Sequence, residues 1–113
     1  MTAQEILKMI EEVDPADTAK LDEIDYLAEC FIRKNDSPIW LGTQYTRSRD
    51  ALKSVRPMAF TYTIVFEQYK GHSAAMTWVH DPDVQFVSPI GLQEELAELH
   101  AIISAIQWER TKI

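Results

Sequence analysis

Apolar residues recur at helical spacing through the first third of the chain. Ile6, Ile10 and Val13 stand four and three apart, with Leu7 and Met9 beside them, and predict a short helix ending near Val13. Asp14 can accept a hydrogen bond from a free backbone N–H, Pro15 suits a first helical turn, and Asp17 complements the helix dipole. A second helix is therefore expected to open there. Leu21, Ile24, Ala28 and Phe31, with Leu27 and Ile32 alongside, form its apolar face to about Lys34, where Asn35-Asp36-Ser37-Pro38 breaks it. Ile39-Trp40-Leu41 is a short apolar run suited to an edge strand. Thr46 or Ser48 is the expected cap of a third, short helix in which Ala51, Leu52 and Val55 supply the apolar contact before Pro57 stops it.

From Phe60 the period changes to two. Phe60, Tyr62, Ile64 and Phe66 alternate with Thr61, Thr63, Val65 and Glu67, the pattern of a half-buried strand. Lys70-Gly71-His72 reads as a hairpin turn into a second strand carrying Ala74, Met76, Trp78 and His80 on one face. After the turn Asp81-Pro82-Asp83, residues 84–87 make a third strand. Connections this short require antiparallel pairing, hence a meander. Ser88-Pro89-Ile90-Gly91 opens the last helix, where Leu92, Leu96, Leu99, Ile103 and Ile106 repeat at spacings of four, three, four and three. This stripe is expected to cover the sheet, leaving Glu94, Glu95, Glu98 and Gln107 on a solvated face. The sum is a single α+β domain over residues 1–113: an antiparallel sheet of three or slightly more strands packed against about four helices, the long C-terminal one covering it.

The run Tyr45-Thr46-Arg47-Ser48-Arg49-Asp50-Ala51-Leu52-Lys53-Ser54-Val55-Arg56-Pro57 resembles a segment of the phage ABA sandwich family of small proteins, through Tyr45, Thr46, Ser48, Asp50, Ala51 and Pro57. Arg49, Lys53 and Arg56 stand where that family usually has apolar residues. The resemblance implies a phage or prophage origin, and it brings no catalytic residues with it. On physical grounds alone, Tyr45 sits just before the helix cap and is placed to pack back on the domain like a hydrophobic staple.

Composition supports a packed core, with 46% of residues hydrophobic. The single Cys30 has no intramolecular partner for a disulfide and suits a small buried position in a helix, which fits a reducing compartment. No apolar run approaches the roughly 18 residues of a membrane span, and Met1-Thr2-Ala3-Gln4-Glu5 lacks the basic region of a signal peptide. The expected location is the cytoplasm.

Chemistry-bearing patterns are sparse. Three isolated glycines, Gly42, Gly71 and Gly91, build neither a phosphate loop nor a dinucleotide fingerprint. His80 beside Asp81 and Asp83 is a local coincidence short of a converging metal set. His100 reads as a boundary residue of the last helix. Cys30 lies mid-helix, away from an activating helix N-terminus. Adjacent pairs such as Glu11-Glu12, Asp22-Glu23 and Glu94-Glu95 diverge by about 100° and cannot flank one substrate bond. No serine has the glycines of a nucleophile elbow. No catalytic residue, cofactor or metal ligand is assigned, and the chain is read as a non-enzyme.

Charge then changes the picture. Residues 1–32 hold nine acids (Glu5, Glu11, Glu12, Asp14, Asp17, Asp22, Glu23, Asp25, Glu29) against Lys8 and Lys20, whereas residues 33–70 are net basic. An acidic start repels phosphate backbones and attracts basic surfaces within about 8 Å at physiological salt. The expected function is a protein-binding module, for example a phage inhibitor of the anti-CRISPR kind directed at a basic, nucleic-acid-binding host defence protein. Asp22, Glu23, Asp25, Tyr26, Glu29 and Trp40 are the expected contact residues, the aromatic ones as apolar anchors. Tyr69 and Trp108 are further candidates, although Trp108 is equally placed to fold back as a lid on the core. The alternatives are direct nucleic-acid binding through Arg47, Arg49, Lys53 and Arg56, which the overall charge opposes, an enzyme of unknown type, or self-assembly.

Overall fold

The computed structural model describes residues 2–35, 42–67 and 71–111, with residues 65–67 described by backbone alone. The expected edge strand Ile39-Trp40-Leu41 and the anchor candidates Trp40 and Tyr69 lie outside the described residues. The elements are α1 (Ala3–Glu12), α2 (Thr18–Arg33), α3 (Arg49–Lys53), β1 (Phe60–Glu67), β2 (Gly71–Trp78), β3 (Gln85–Val87) and α4 (Glu94–Thr111).

Side-chain caps set the helix starts. Thr2 Oγ1 accepts from the N–H of Glu5 at 3.3 Å and opens α1. The second helix starts later than the Asp14-Pro15 pair suggested. Asp14 Oδ1 takes the N–H of Ala16 at 2.9 Å in a local turn, and Asp17 is the cap, accepting from Lys20 N–H at 3.2 Å. Lys34 ends α2 in the left-handed region, φ 55°, returning its N–H to the carbonyls of Cys30 and Phe31. Of the two candidate caps for α3 it is Ser48 that accepts, from Ala51 N–H at 3.3 Å.

The sheet is the expected meander in the order β1-β2-β3, antiparallel throughout. Phe60 pairs with Trp78, Tyr62 with Met76 and Ile64 with Ala74, while Met76 also pairs with Phe86. Strand alternation puts these residues on the covered face and Thr61, Thr63, Thr77 and Gln85 on the other. Beyond β3 the chain returns to the sheet: His72 N–H donates to Leu92 O at 3.1 Å and Gly91 N–H to His72 O at 3.2 Å. Here Gly71 has φ +90°, and a Cβ on it would stand 2.9 Å from Gly91 Cα, so the two backbones approach through glycine alone. This return occupies residues that the sequence suggested would open the last helix, which instead begins at Glu94.

Helix α4 is the centre of the molecule. Leu96, Ala97, Glu98, Leu99, His100, Ala101, Ile102 and Ile103 are all buried, so no solvated face runs along it there. Its two opposite stripes meet different layers. Arg110 continues the series Leu96, Leu99, Ile103, Ile106 and donates to the carbonyls of Phe31 (2.7 Å) and Ile32 (3.1 Å) on α2. Trp108 continues the series Ala97, Ala101, Ala105, and its ring stands 6.1 Å from Phe60, 5.1 Å from Trp78 and 5.8 Å from Phe86 on the sheet. The sheet therefore lies on the alanine side and the leucine–isoleucine stripe faces the helices, the reverse of the expected orientation. Small side chains let a sheet approach a helix closely, and Trp108 closes the end of that contact. Glu98 is corrected from solvated to fully buried for the same reason.

Candidate protein-binding surface

Helix α2 carries Asp22, Asp25 and Glu29 three and four residues apart, hence on one side. Against that side lies the turn Tyr45-Thr46-Arg47. Asp25 is fully buried: its Oδ1 accepts from Thr46 N–H at 2.8 Å and its Oδ2 from Arg47 Nη2 at 2.8 Å. The same guanidinium reaches exposed Asp22 at 2.5 Å. One turn on, buried Glu29 accepts from Tyr45 OH at 2.5 Å and from Arg33 Nε at 2.7 Å. Burial pushes the Glu29 carboxyl up, but the bonds from Tyr45 and Arg33 outweigh it and leave its pKa below the ordinary value. The Tyr45 phenol is raised, first by burial and then by the hydrogen bond to Glu29.

Asp25 and Glu29 are thus removed from the expected contact surface. Their carboxylates fasten the segment before α3 to α2, Asp25 without exposure and Glu29 with little. Acids at spacings of three and four opposite a Tyr-Thr-Arg run were the available signal, but only the fold brings residues 25 and 46 together.

The basic segment is similarly occupied. Arg47 is held by Asp22 and Asp25, Arg49 Nη1 meets Glu94 at 2.9 Å, and Arg56 pairs with Glu98. The Arg56 guanidinium also lies over the Tyr62 ring, 4.0 Å from its centroid. Burial, followed by the nearby Glu98 carboxylate, pushes the Tyr62 phenol up to about 12. Lys53 is exposed. Three of the four bases proposed for phosphate contact already face carboxylates.

Among the expected contact residues, Asp22 and Glu23 are exposed, and Glu23 pairs with Lys20 at 3.2 Å. Tyr26 is half-buried, its hydroxyl pKa raised by desolvation and then by the Cys30 thiol one turn away. Cys30 itself is half-buried rather than enclosed. Glu5, Glu12, Asp14 and Asp17 are exposed and make no ion pair among the described residues. The exposed acids of the first third therefore lie on α1, the turn after it and the first half of α2.

Other chemistry is confined to structural pairs. His100 is buried, its Nε2 is 3.3 Å from Glu11 Oε2, and burial holds its pKa below the ordinary imidazole value despite that carboxylate. His80 stacks edge-on against Trp78, ring centroids 5.0 Å apart, and Asp81 Oδ1 takes the N–H of Asp83 at 3.0 Å. Among the described residues no three His, Cys, Asp or Glu side chains converge as a metal site, and no helix is long and apolar enough to cross a membrane. Comparison of the chain with protein-family models, curated proteins and solved structures finds no match.

Proposed function

We propose that this chain is a non-enzymatic binding protein whose acidic α1–α2 surface engages a basic protein partner. The observation that carries the reading is a segregation of charge pairing. The arginines Arg47, Arg49 and Arg56 face carboxylates of the protein itself, whereas Glu5, Glu12, Asp14 and Asp17 are exposed and form no ion pair among the described residues. Such a surface accelerates encounter with a basic partner and repels polyanions. The fuller reading, an inhibitor of the anti-CRISPR kind acting on a nucleic-acid-binding host protein, adds to this surface the phage source that the Tyr45–Pro57 resemblance implies.

The test uses capture from host lysate on immobilised protein, salt-graded elution, and association kinetics with the captured partner. Asp22→Lys with Glu23→Lys reverses exposed charge and leaves buried Asp25 and Glu29 in place. The double variant should slow association and flatten its dependence on salt while circular dichroism is unchanged. An unchanged rate and salt slope in the folded variant removes the acidic surface from recognition.

A further inference from the structure

At the corner where α1 ends and α2 begins, a cleft of about 340 Å³ is lined by Met9, Glu12, Val13, Asp14, Asp17, Lys20 and Ile24. Its volume lies at the small end of the range typical of ligand sites. Ile24, fully buried, and the half-buried Met9 and Val13 supply apolar lining, and the exposed carboxylates Glu12, Asp14 and Asp17 supply the polar groups. The one cation, Lys20, is already paired with Glu23.

Two features specify what fits. First, the cleft lies at the carbonyl end of α1, where the helix dipole is negative, yet the last turn contains no basic residue and ends on Glu11-Glu12. Charge of the wrong sign for helix stability is concentrated beside an apolar hollow. Second, Asp14 and Asp17 each accept through Oδ1 from a backbone N–H, of Ala16 and Lys20 respectively, while Oδ2 of each takes no hydrogen bond among the described residues. Single oxygens from separate carboxylates suit the three divergent donors of an ammonium better than the planar fork of a guanidinium, which prefers two oxygens of one carboxylate.

We infer that this cleft is the anchor pocket of the acidic surface and receives a lysine side chain of the partner, the methylene stem against Met9, Val13 and Ile24 and the ammonium among Glu12, Asp14 and Asp17. A lysine matches both halves of the site because its stem packs on apolar surface while its head remains among polar groups. The inference rests on the binding role proposed above and narrows it to one pocket and one side-chain chemistry.

The test is methyl-detected NMR of the full chain labelled at Met, Val and Ile, titrated with N-acetyl-lysine-N-methylamide. The norleucine analogue tests the stem alone, the arginine analogue the guanidinium, and ammonium chloride the charge alone. Saturable shifts at Met9, Val13 and Ile24 with the lysine probe, at least tenfold weaker with each of the other three, are expected. E12Q/D14N/D17N keeps side-chain oxygens for both caps and should weaken the lysine probe at least tenfold with the fold intact. No saturable shift at these methyls, equal response to norleucine, or an unaffected triple variant overturns the pocket. Binding of a lysine decapeptide separates the two readings. If it is lost in the Asp22→Lys, Glu23→Lys variant while the cleft methyls stay silent, the surface stands and the pocket falls. If the decapeptide binds neither form, both fall.

Discussion

Asp22 and Asp25 lie one turn apart on α2 and touch the same guanidinium, yet they should differ several-fold in their effect on stability. Asp22 is half exposed, its side chain 53% accessible, and Arg47 keeps a second carboxylate when it is removed. Asp22→Ala should therefore cost no more than about 1 kcal/mol, the range of surface ion pairs. Asp25 is wholly buried. Asp25→Ala leaves the enclosed N–H of Thr46 without an acceptor, about 1–3 kcal/mol, and takes away the buried partner of a guanidinium that is itself only 28% exposed. Arg47 keeps Asp22, so this half costs about one hydrogen bond to a charged group, about 1.5–3 kcal/mol, and the two losses together are expected to total about 3–5 kcal/mol. At about 4 °C per kcal/mol for a domain of this size, the midpoint should fall by roughly 12–20 °C. Urea unfolding followed by circular dichroism, with the thermal midpoint in parallel, measures both variants. Equal costs for the two substitutions, or a cost for Asp25→Ala below about 1 kcal/mol, would refute the assignment of Asp25 as the bond between α2 and the Tyr45–Arg47 turn.

Three further outcomes follow from the fold. Ala101→Leu inserts bulk where the sheet lies on α4 and should cost about 1–3 kcal/mol by overpacking; no loss of stability would return the sheet to the leucine stripe. His100 has a folded-state pKa below its unfolded value near 6.5, so the unfolded chain binds more protons between the two. Its contribution is intact above about pH 6.5 and is lost as pH falls toward the folded-state pKa, and denaturant midpoints between pH 7.5 and 5.5 should fall less steeply in His100→Gln. Finally, the protein at micromolar concentration and physiological salt should not shift duplex or single-stranded DNA in a gel. A shift abolished by Arg47→Glu would favour the basic segment as a nucleic-acid site.

Element type was legible because it follows from rules that act over a few residues. The four-and-three spacing of Ile6, Ile10 and Val13 marks a helix whatever packs on it. The alternation from Phe60 marks a strand, and the short stretches between Glu67 and Gly71 and around Asp81-Pro82-Asp83 leave only antiparallel pairing. Caps were less legible because neighbouring residues carry equivalent acceptors and only the backbone path decides which one reaches the first turn: Asp14 closes a local turn while Asp17 caps α2, and Ser48 caps α3. The acidic character of the first third is likewise a property of the sequence alone.

Tertiary structure alone decided which of those acids face water. A helical wheel cannot distinguish Asp22 from Asp25, because the difference is made by Thr46 and Arg47, more than twenty residues away. It cannot orient α4 either, since both the leucine–isoleucine stripe and the alanine ridge are apolar and either can meet a sheet. The choice appears only when Trp108 reaches Phe60 and Trp78 while Arg110 reaches the end of α2. Once layers close on both sides of α4, Glu98 is enclosed and must pair with Arg56. Periodicity fixes how side chains point relative to their own helix or strand; burial depends on which distant surface arrives there, and that is a property of the assembled chain.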